Sequence, residues 1–231
     1  MSAAAAAAAE LNKAGFAILK NVLDAETILS LQRELSAAVA REKNENAYGV
    51  RNLLNLSPGI KKFSEGGTVK NLAQSVLGKE AKVVRAIFFN KTPEANWKVP
   101  WHQDLTIAVR EKRETAGFTA WTRKSGIWHV QPPTSVLLKM LTLRFHLDDA
   151  DETNGALKIV VGSHRRRLSS AEVGKLPKPF AFCRASKGDV LLMRPLLVHA
   201  SSAGTSPKNR RVIHLELAAE NLPNDLEWYG S

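Results

Sequence analysis

The sequence predicts a mainly β protein, a cupin-like jelly roll fronted by N-terminal helices, and three observations carry the prediction. From Ala81 onward the chain breaks into eight short apolar, β-rich runs separated by turn residues, and eight strands are what a jelly roll requires. The first eighty residues instead space their apolar positions by three and four, the helical period. Finally, 231 residues, 44% hydrophobic and 24% charged, suit one globular domain with one sizeable core. The expected organisation is a single domain over 1–231, with 1–80 as mostly helical support and 81–218 as the jelly-roll core.

The run Ala3–Ala9 lacks a basic leader and continues into Glu10, Leu11, Asn12 and Lys13, so it reads as a helical extension rather than a signal peptide. Gly15 precedes Phe16-Ala-Ile-Leu19, which is short and apolar and suits a buried strand. Asp24 is placed to cap a helix that carries Ile28, Leu31, Leu35 and Val39 on one face. Another helix starts near Thr68, presents Val69, Leu72 and Val76, and stops at Gly78, where a left-handed residue ends a helix well. The eight strands are expected at Val83–Phe89, Leu105–Val109, Val136–Leu147, Ala156–Val161, Phe180–Ala185, Val190–Met193, Leu197–Ser201 and Arg210–Leu217. Ser186-Lys-Gly-Asp189 and Asp148–Gly155 are written as turns. The segment Arg110–Thr134, rich in charge and Trp and ending in Pro132-Pro133, is too long for a simple connector and is expected to be a mobile lid over the substrate.

Composition removes several classes of function. The most apolar stretch, Val190 to Val198, is interrupted by Arg194, so no membrane span is expected. The single cysteine, Cys183, excludes an intrachain disulfide framework and a thiolate metal cluster, and points to the cytoplasm. The net charge of +11 is concentrated: Arg165 to Arg211 holds eleven Lys/Arg against Glu172 and Asp189, whereas 212–231 holds four carboxylates and no Lys/Arg. That excess is either a site for phosphate or carboxylate ligands or a solvated basic face.

The triplet His102-Gln103-Asp104 carries the chemistry. Side chains separated by one residue project to the same side of a strand, so His102 and Asp104 reach one ion together. With His199, at the end of another expected strand, they make two imidazoles and one carboxylate, the facial set used for non-haem ferrous iron. Three protein ligands leave three octahedral positions, of which a 2-oxo acid fills two and dioxygen the third. The far carboxylate of the 2-oxo acid then needs an anchor, and arginine's planar fork matches it best. Arg210 is favoured because it shares a strand face with Val212, His214 and Glu216; its rival Arg211 shares one with Ile213, Leu215 and Leu217.

In combination and order these residues resemble the phytanoyl-CoA dioxygenase family of iron- and 2-oxoglutarate-dependent oxygenases. The resemblance runs through Gly15-Phe16, the helix beginning near Asp24, Trp101-His-Gln-Asp104, Asn154-Gly-Ala-Leu157, Gly162-Ser-His164, His199-Ala-Ser-Ser202 and Arg210-Arg-Val-Ile213. It implies a double-stranded β-helix, iron(II) held by His102, Asp104 and His199, 2-oxoglutarate anchored by Arg210, and hydroxylation of a small organic substrate. It places His164 outside the iron sphere. Where the founding member has an aromatic residue on the strand before the Asn-Gly turn, this chain has Arg144, on a face with Thr142 and His146. Arg144 either helps to hold a carboxylate or is a surface arginine on an edge strand.

The remaining residues have plainer readings. Trp97, Trp101, Trp121 and Trp128 serve packing or a substrate platform, His129 and His146 are expected to be satisfied polar residues, and His214 to stand near the metal ligands. Cys183 reads as a buried, inert thiol. The expected partners are dioxygen and a small, anionic substrate, with no membrane and no nucleic acid. Two rival readings are a nucleic-acid demethylase of the alkylation-repair type, which would use the net charge, and a non-catalytic jelly roll that binds an anion. The intact set of His102, Asp104, His199 and Arg210 argues against the second.

Overall fold

The order of elements is α1 (Ala3–Ala14), β1 (Phe16–Leu19), α2 (Ala25–Arg41), β2 (Gly49–Val50), α3 (Leu53–Leu56), α4 (Pro58–Ser64), α5 (Gly67–Leu77), β3 (Lys82–Lys91), β4 (Val99–His102), β5 (Ile107–Val109), β6 (Thr119–Lys124), β7 (Ile127–Gln131), α6 (Thr134–Leu138), β8 (Leu141–His146), β9 (Leu157–Ile159), α7 (Ser170–Lys175), β10 (Ala181–Cys183), β11 (Val190–Met193), β12 (His199–Ser201) and β13 (Arg210–Ala218). The computed structural model describes residues 3–42, 49–176, 180–205 and 208–230. The Asp24 carboxylate accepts the Thr27 N–H at 2.7 Å and so starts α2, which buries Ile28, Leu31, Leu35 and Ala38. Gly78, at φ +86°, ends α5.

Two antiparallel sheets face each other. The larger runs β1-β11-β8-β13-β3-β2 and the smaller β10-β9-β12-β4. Alternation along β8 and β13 divides the larger sheet into two faces of opposite character. Leu141, Leu143, Phe145, Ile213, Leu215 and Leu217 form the outer face and join Leu31, Leu35, Ile60 and Leu72 of the N-terminal helices in one core. Each such side chain, fully buried, contributes about 1.5–3 kcal/mol. The inner face carries Thr142, Arg144 and His146 from β8 and Arg210, His214 and Glu216 from β13. It continues onto β3, because Arg210 pairs with Lys91, Val212 with Phe89 and Glu216 with Arg85.

Several expected strands are shorter than the apolar runs that suggested them. The run Val136–Leu147 is not one strand: Thr134–Leu138 is helical, started by Pro133 at φ −51°, and β8 begins only at Leu141. The helices at Leu53–Leu56 and Pro58–Ser64 were not expected, although Ser57 caps the second through the Ile60 N–H at 3.1 Å and Pro58 occupies its first turn. Arg110–Thr134 is not the open loop expected of a lid. It folds into the β6–β7 hairpin, which pairs with β5 as a third sheet, and it packs Phe118 and Val130 in one cluster with Leu137 and Trp228 and buries Ile127. The hairpin turn is Ser125-Gly126, both at positive φ as a two-residue turn requires, and exposed β6 hides the strand period.

His146 also departs from expectation. It is buried on a central strand, and neither ring nitrogen has a hydrogen-bond partner among the described residues. Burial, reinforced by Arg144 and Arg210, pushes its pKa down to about 3; burial and Arg85 push His129 down to about 4. The unfolded chain protonates both imidazoles near the ordinary value, so below it the unfolded state binds more protons than the folded one. Stability is therefore complete above about pH 6.5 and falls as pH drops toward 4, by up to about 1.4 kcal/mol per pH unit for each histidine. Urea unfolding of the metal-free protein at a series of pH values is expected to show this decline, and His146→Leu to flatten it by up to one proton.

Candidate metal centre and its cavity

The pairing of β12 with β4 sets His199 opposite His102, and the two imidazole centroids stand 4.2 Å apart. Asp104 lies two residues beyond β4, where its backbone N–H donates to the Pro195 carbonyl at 2.9 Å. Its Oδ1 stands 3.6 Å from His102 Nε2 and its Oδ2 3.8 Å from His199 Nε2, so the three ligand atoms lie within 4.8 Å of one another. Each imidazole donates its Nδ1–H to a backbone carbonyl, His102 to Pro100 and His199 to Leu197, both at 2.8 Å. Those bonds fix the tautomer and leave each Nε2 lone pair aimed at Asp104, as a metal ligand requires.

The spacer residue is as firmly held as the ligands. Gln103, turned to the other side and buried, donates through Nε2 to the Arg166 carbonyl at 2.9 Å and the Leu196 carbonyl at 2.6 Å, and accepts the Leu168 N–H at 2.7 Å. It thereby ties the triplet to the turn after His164 and to the loop before His199. Electrostatics complete the arrangement. Burial works to raise the Asp104 pKa, but His199 and His102 hold its carboxyl well below the usual carboxylate range. Burial pushes His199 down to about 4, so a neutral imidazole faces an ionised carboxylate.

These ligands open on a cavity of about 270 Å³, lined also by Arg51, Phe89, Trp97, Arg144, Arg210 and His214. Arg210 is 3% exposed, and its Nε and Nη1 have no hydrogen-bond partner among the described residues. Burial and the neighbouring Arg144 bring its pKa down to about 9. Arg211 is engaged elsewhere, gripping Asp148 through Nε at 2.8 Å and Nη2 at 2.7 Å. Arg144 lies buried on central β8 rather than on a surface edge strand. Lys91 donates to Ser201 Oγ at 2.8 Å and to the Ser202 carbonyl; burial and Arg210 lower its pKa to about 8.

The other singled-out residues lie apart from this centre. Trp121 and Trp128 meet edge to face in the third sheet, Trp101 packs on Phe180, and His164 lies beside Asn12 and Arg194 in a separate cleft. The Cys183 thiol is buried and pushed up to about 12. The basic stretch is spent only in part within the fold: Arg166 pairs with Glu172, Arg184 with Glu152 and Arg211 with Asp148, and Arg194 and Arg210 point inward, while Arg165, Arg167, Lys175, Lys187 and Lys208 are exposed (Lys178 lies outside the described residues). Sequence reasoning missed Gln103, Lys91 and Arg51. Lys91 was recoverable, because extending the alternation of β3 by two residues places it opposite Arg210; Gln103 looked like a spacer, and Arg51 follows no pattern. Replacing Gln103 by Ala strands two carbonyls and an N–H. The variant is expected to lose about 2–3 kcal/mol in chemical denaturation and about tenfold or more in divalent-metal affinity by titration.

Residues 11–212 match the family model described as phytanoyl-CoA dioxygenase (PhyH). Phytanoyl-CoA dioxygenase 1 of Oryza sativa subsp. japonica is 27% identical over 191 residues, covering 77% of this chain and 59% of that protein. Ectoine dioxygenase of Bordetella bronchiseptica is 27% identical over 176 residues, covering 71% of this chain and 50% of that one. The chain thus spans between half and two thirds of these two relatives. Among solved structures, the α-ketoglutarate-dependent carbocyclase SnoK from nogalamycin biosynthesis superposes with a TM-score of 0.72 at 16% identity, covering 94% of this chain and 83% of that one. AviO1 from Streptomyces viridochromogenes gives 0.70 at 23%, covering 95% of each. HygX from Streptomyces hygroscopicus, with nickel and 2-oxoglutarate bound, gives 0.68 at 14%, covering 94% and 87%. At these identities the structural likeness is one of fold, a jelly roll with N-terminal helices. The sequence match itself runs through every element that carries His102, Asp104, His199 and Arg210, and the chain belongs to the phytanoyl-CoA dioxygenase family.

Proposed function

We propose that this chain, read as one catalytic domain over 1–231, is an iron(II)- and 2-oxoglutarate-dependent dioxygenase that hydroxylates a small, anionic organic substrate. The observation that carries the reading is the convergence of His102, Asp104 and His199 on one point, beside a buried arginine whose Nε and Nη1 are unpartnered among the described residues. The donor set fits the metal: two neutral imidazoles and a carboxylate hold a ferrous ion on one face and leave the other open. Arg210 keeps Nε and Nη1 unpartnered among the described residues, so it has donors left for the far carboxylate of 2-oxoglutarate. When bound, the pair supplies oxidative decarboxylation: one dioxygen, one 2-oxoglutarate and a substrate C–H yield succinate, carbon dioxide and a substrate C–OH.

The chain's own residues orient and shelter this chemistry. Pro100 and Leu197 hold the two imidazoles in register, Gln103 fixes the span between His102 and Asp104, and Phe89 and Trp97 wall the cavity. The cytoplasm is the compartment this reading favours, since ferrous iron and the single thiol both persist in a reducing medium. The family match, rather than the charge, favours this reading over a nucleic-acid demethylase.

Wild-type protein is expected to bind one ferrous ion and to release succinate from 2-oxoglutarate. Single Ala replacements of His102, Asp104 and His199 should each sharply weaken metal binding in titration and abolish succinate formation, and undiminished turnover in all three would remove the assignment. Arg210→Lys keeps the charge but not the fork, so the concentration of 2-oxoglutarate needed for half-maximal rate should rise while iron binding stays intact. Product mass should be read for loss of two hydrogens as well as gain of oxygen, given a carbocyclase among the structural neighbours.

A further inference from the structure

Beyond Arg210, the cavity holds a second buried arginine, and its surroundings are built to keep it charged and unneutralised. Arg144 stands opposite His214 across the β8–β13 pair, is 6% exposed, and donates from Nη1 to His214 Nδ1 at 2.9 Å. That bond places the remaining imidazole proton on Nε2, which faces Glu216 at 3.7 Å, and Glu216 is held by Arg85 at 3.1 Å. The buried row therefore reads Arg85, Glu216, His214, Arg144. Its one carboxylate is spent on Arg85, at the end away from the cavity. Arg144 is aimed by a neutral imidazole and packed with its guanidinium 5.6 Å from the Phe89 ring centre, while its Nε has no hydrogen-bond partner among the described residues. Leaving a guanidinium buried without a counter-ion is costly unless an anion arrives.

Charge counting indicates what arrives. The cavity is lined by Arg51 at its exposed rim and by Arg144 and Arg210 within, against the single carboxylate of Asp104. A ferrous ion and a 2-oxoglutarate dianion cancel each other, so loading the centre leaves the surplus in place. The two inner arginines start from different rungs: the Val212–His146 pair lies between them, which puts their backbone positions about 13 Å apart along the sheet, while their charges remain near enough for Arg144 to help to lower the Arg210 pKa. Arg210 groups with Lys91 and Ser201 at one end, whereas Arg144 is close enough to feel the field of Asp104 at the metal centre. We infer that Arg144 is a specificity-determining residue, whose guanidinium receives the carboxylate of a small acid substrate while Arg210 keeps the 2-oxoglutarate. This rests on the dioxygenase reading above and adds the substrate class and the residue that selects it.

The experiment uses the full chain loaded anaerobically with ferrous iron and 2-oxoglutarate, read by the visible charge-transfer absorption of that complex. Butyrate, isovalerate and phenylacetate are titrated, each beside its own primary amide. The acids are expected to perturb the absorption and the amides not. In Arg144→Met the response to the acids should fall by at least about tenfold, with the affinity for 2-oxoglutarate within about threefold of wild type. Arg144→Lys, which keeps the charge without the fork, should fall between them. Thermal unfolding of the unloaded protein gives a second reading: with no counter-ion to lose, Arg144→Met should be as stable as wild type or more so, whereas a merely structural arginine would lower the midpoint. Acids and amides that act alike, or do not act, overturn the inference. So does Arg144→Met that loses 2-oxoglutarate as badly as Arg210→Lys, which would assign Arg144 to the cosubstrate. No charge-transfer absorption in wild type would instead overturn the dioxygenase reading itself.

Discussion

The burial of both faces of β8 and β13 is the constraint from which the rest of the molecule follows. An antiparallel sheet ordinarily turns one face to the core and the other to water. Here the N-terminal helices cover the outer face and the small sheet covers the inner one, so strands that alternate apolar and polar residues place their polar set inside. Arg144, His146, Arg210, His214 and Glu216 are all in that position. In such surroundings a charged group must be paired, shifted in pKa, or kept for a ligand. Glu216 and Arg85 illustrate the first outcome and His146 the second, and Arg210, with Nε and Nη1 unpartnered among the described residues, answers to the third on the reading proposed above.

The metal-centre geometry comes from the same sandwich rather than from a flexible loop. His102 and His199 end and begin paired strands, so their separation is set by sheet geometry, and carbonyls of their own chain fix the imidazoles. Asp104 leaves the strand but not the scaffold, because the Pro195 carbonyl and the three bonds of Gln103 hold its segment to two neighbouring loops. Ligands positioned this way need little movement when an ion enters, and Asp104 is ionised against neutral His199; His102, which burial would lower but Asp104 holds above its ordinary value, must give up its proton to coordinate.

Local pattern made much of this legible. Two-residue alternation on β13 was enough to prefer Arg210 over Arg211, and the structure separates them: one faces the cavity, the other grips Asp148. The Asp24 cap and Gly78 stop bounded their helices within a residue, and Val190–Met193 was read to its ends. What stayed hidden depends on distant partners. Nothing near Gln103 announces the carbonyls of Arg166 and Leu196, and nothing near Arg144 says that β8 is central. The β6–β7 hairpin was missed because its outer strand is exposed and polar, and α6 because Val136–Leu138 is apolar enough for either helix or strand.

The buried cations also link binding to stability. A cavity whose arginines lack counter-ions in the unliganded fold has stability withheld from it, and anions that bind only the folded chain return it in proportion to their affinity and concentration. Arg144 and Arg210 repel each other until that happens, as the lowered pKa of Arg210 reports. A carboxylate on Arg210 relieves that repulsion, while Arg144, with a pKa of about 10, keeps its own charge throughout. On the reading proposed above, the charge of Arg144 therefore remains for a second anion after the first has neutralised Arg210, and both anions are held by strands of one sheet.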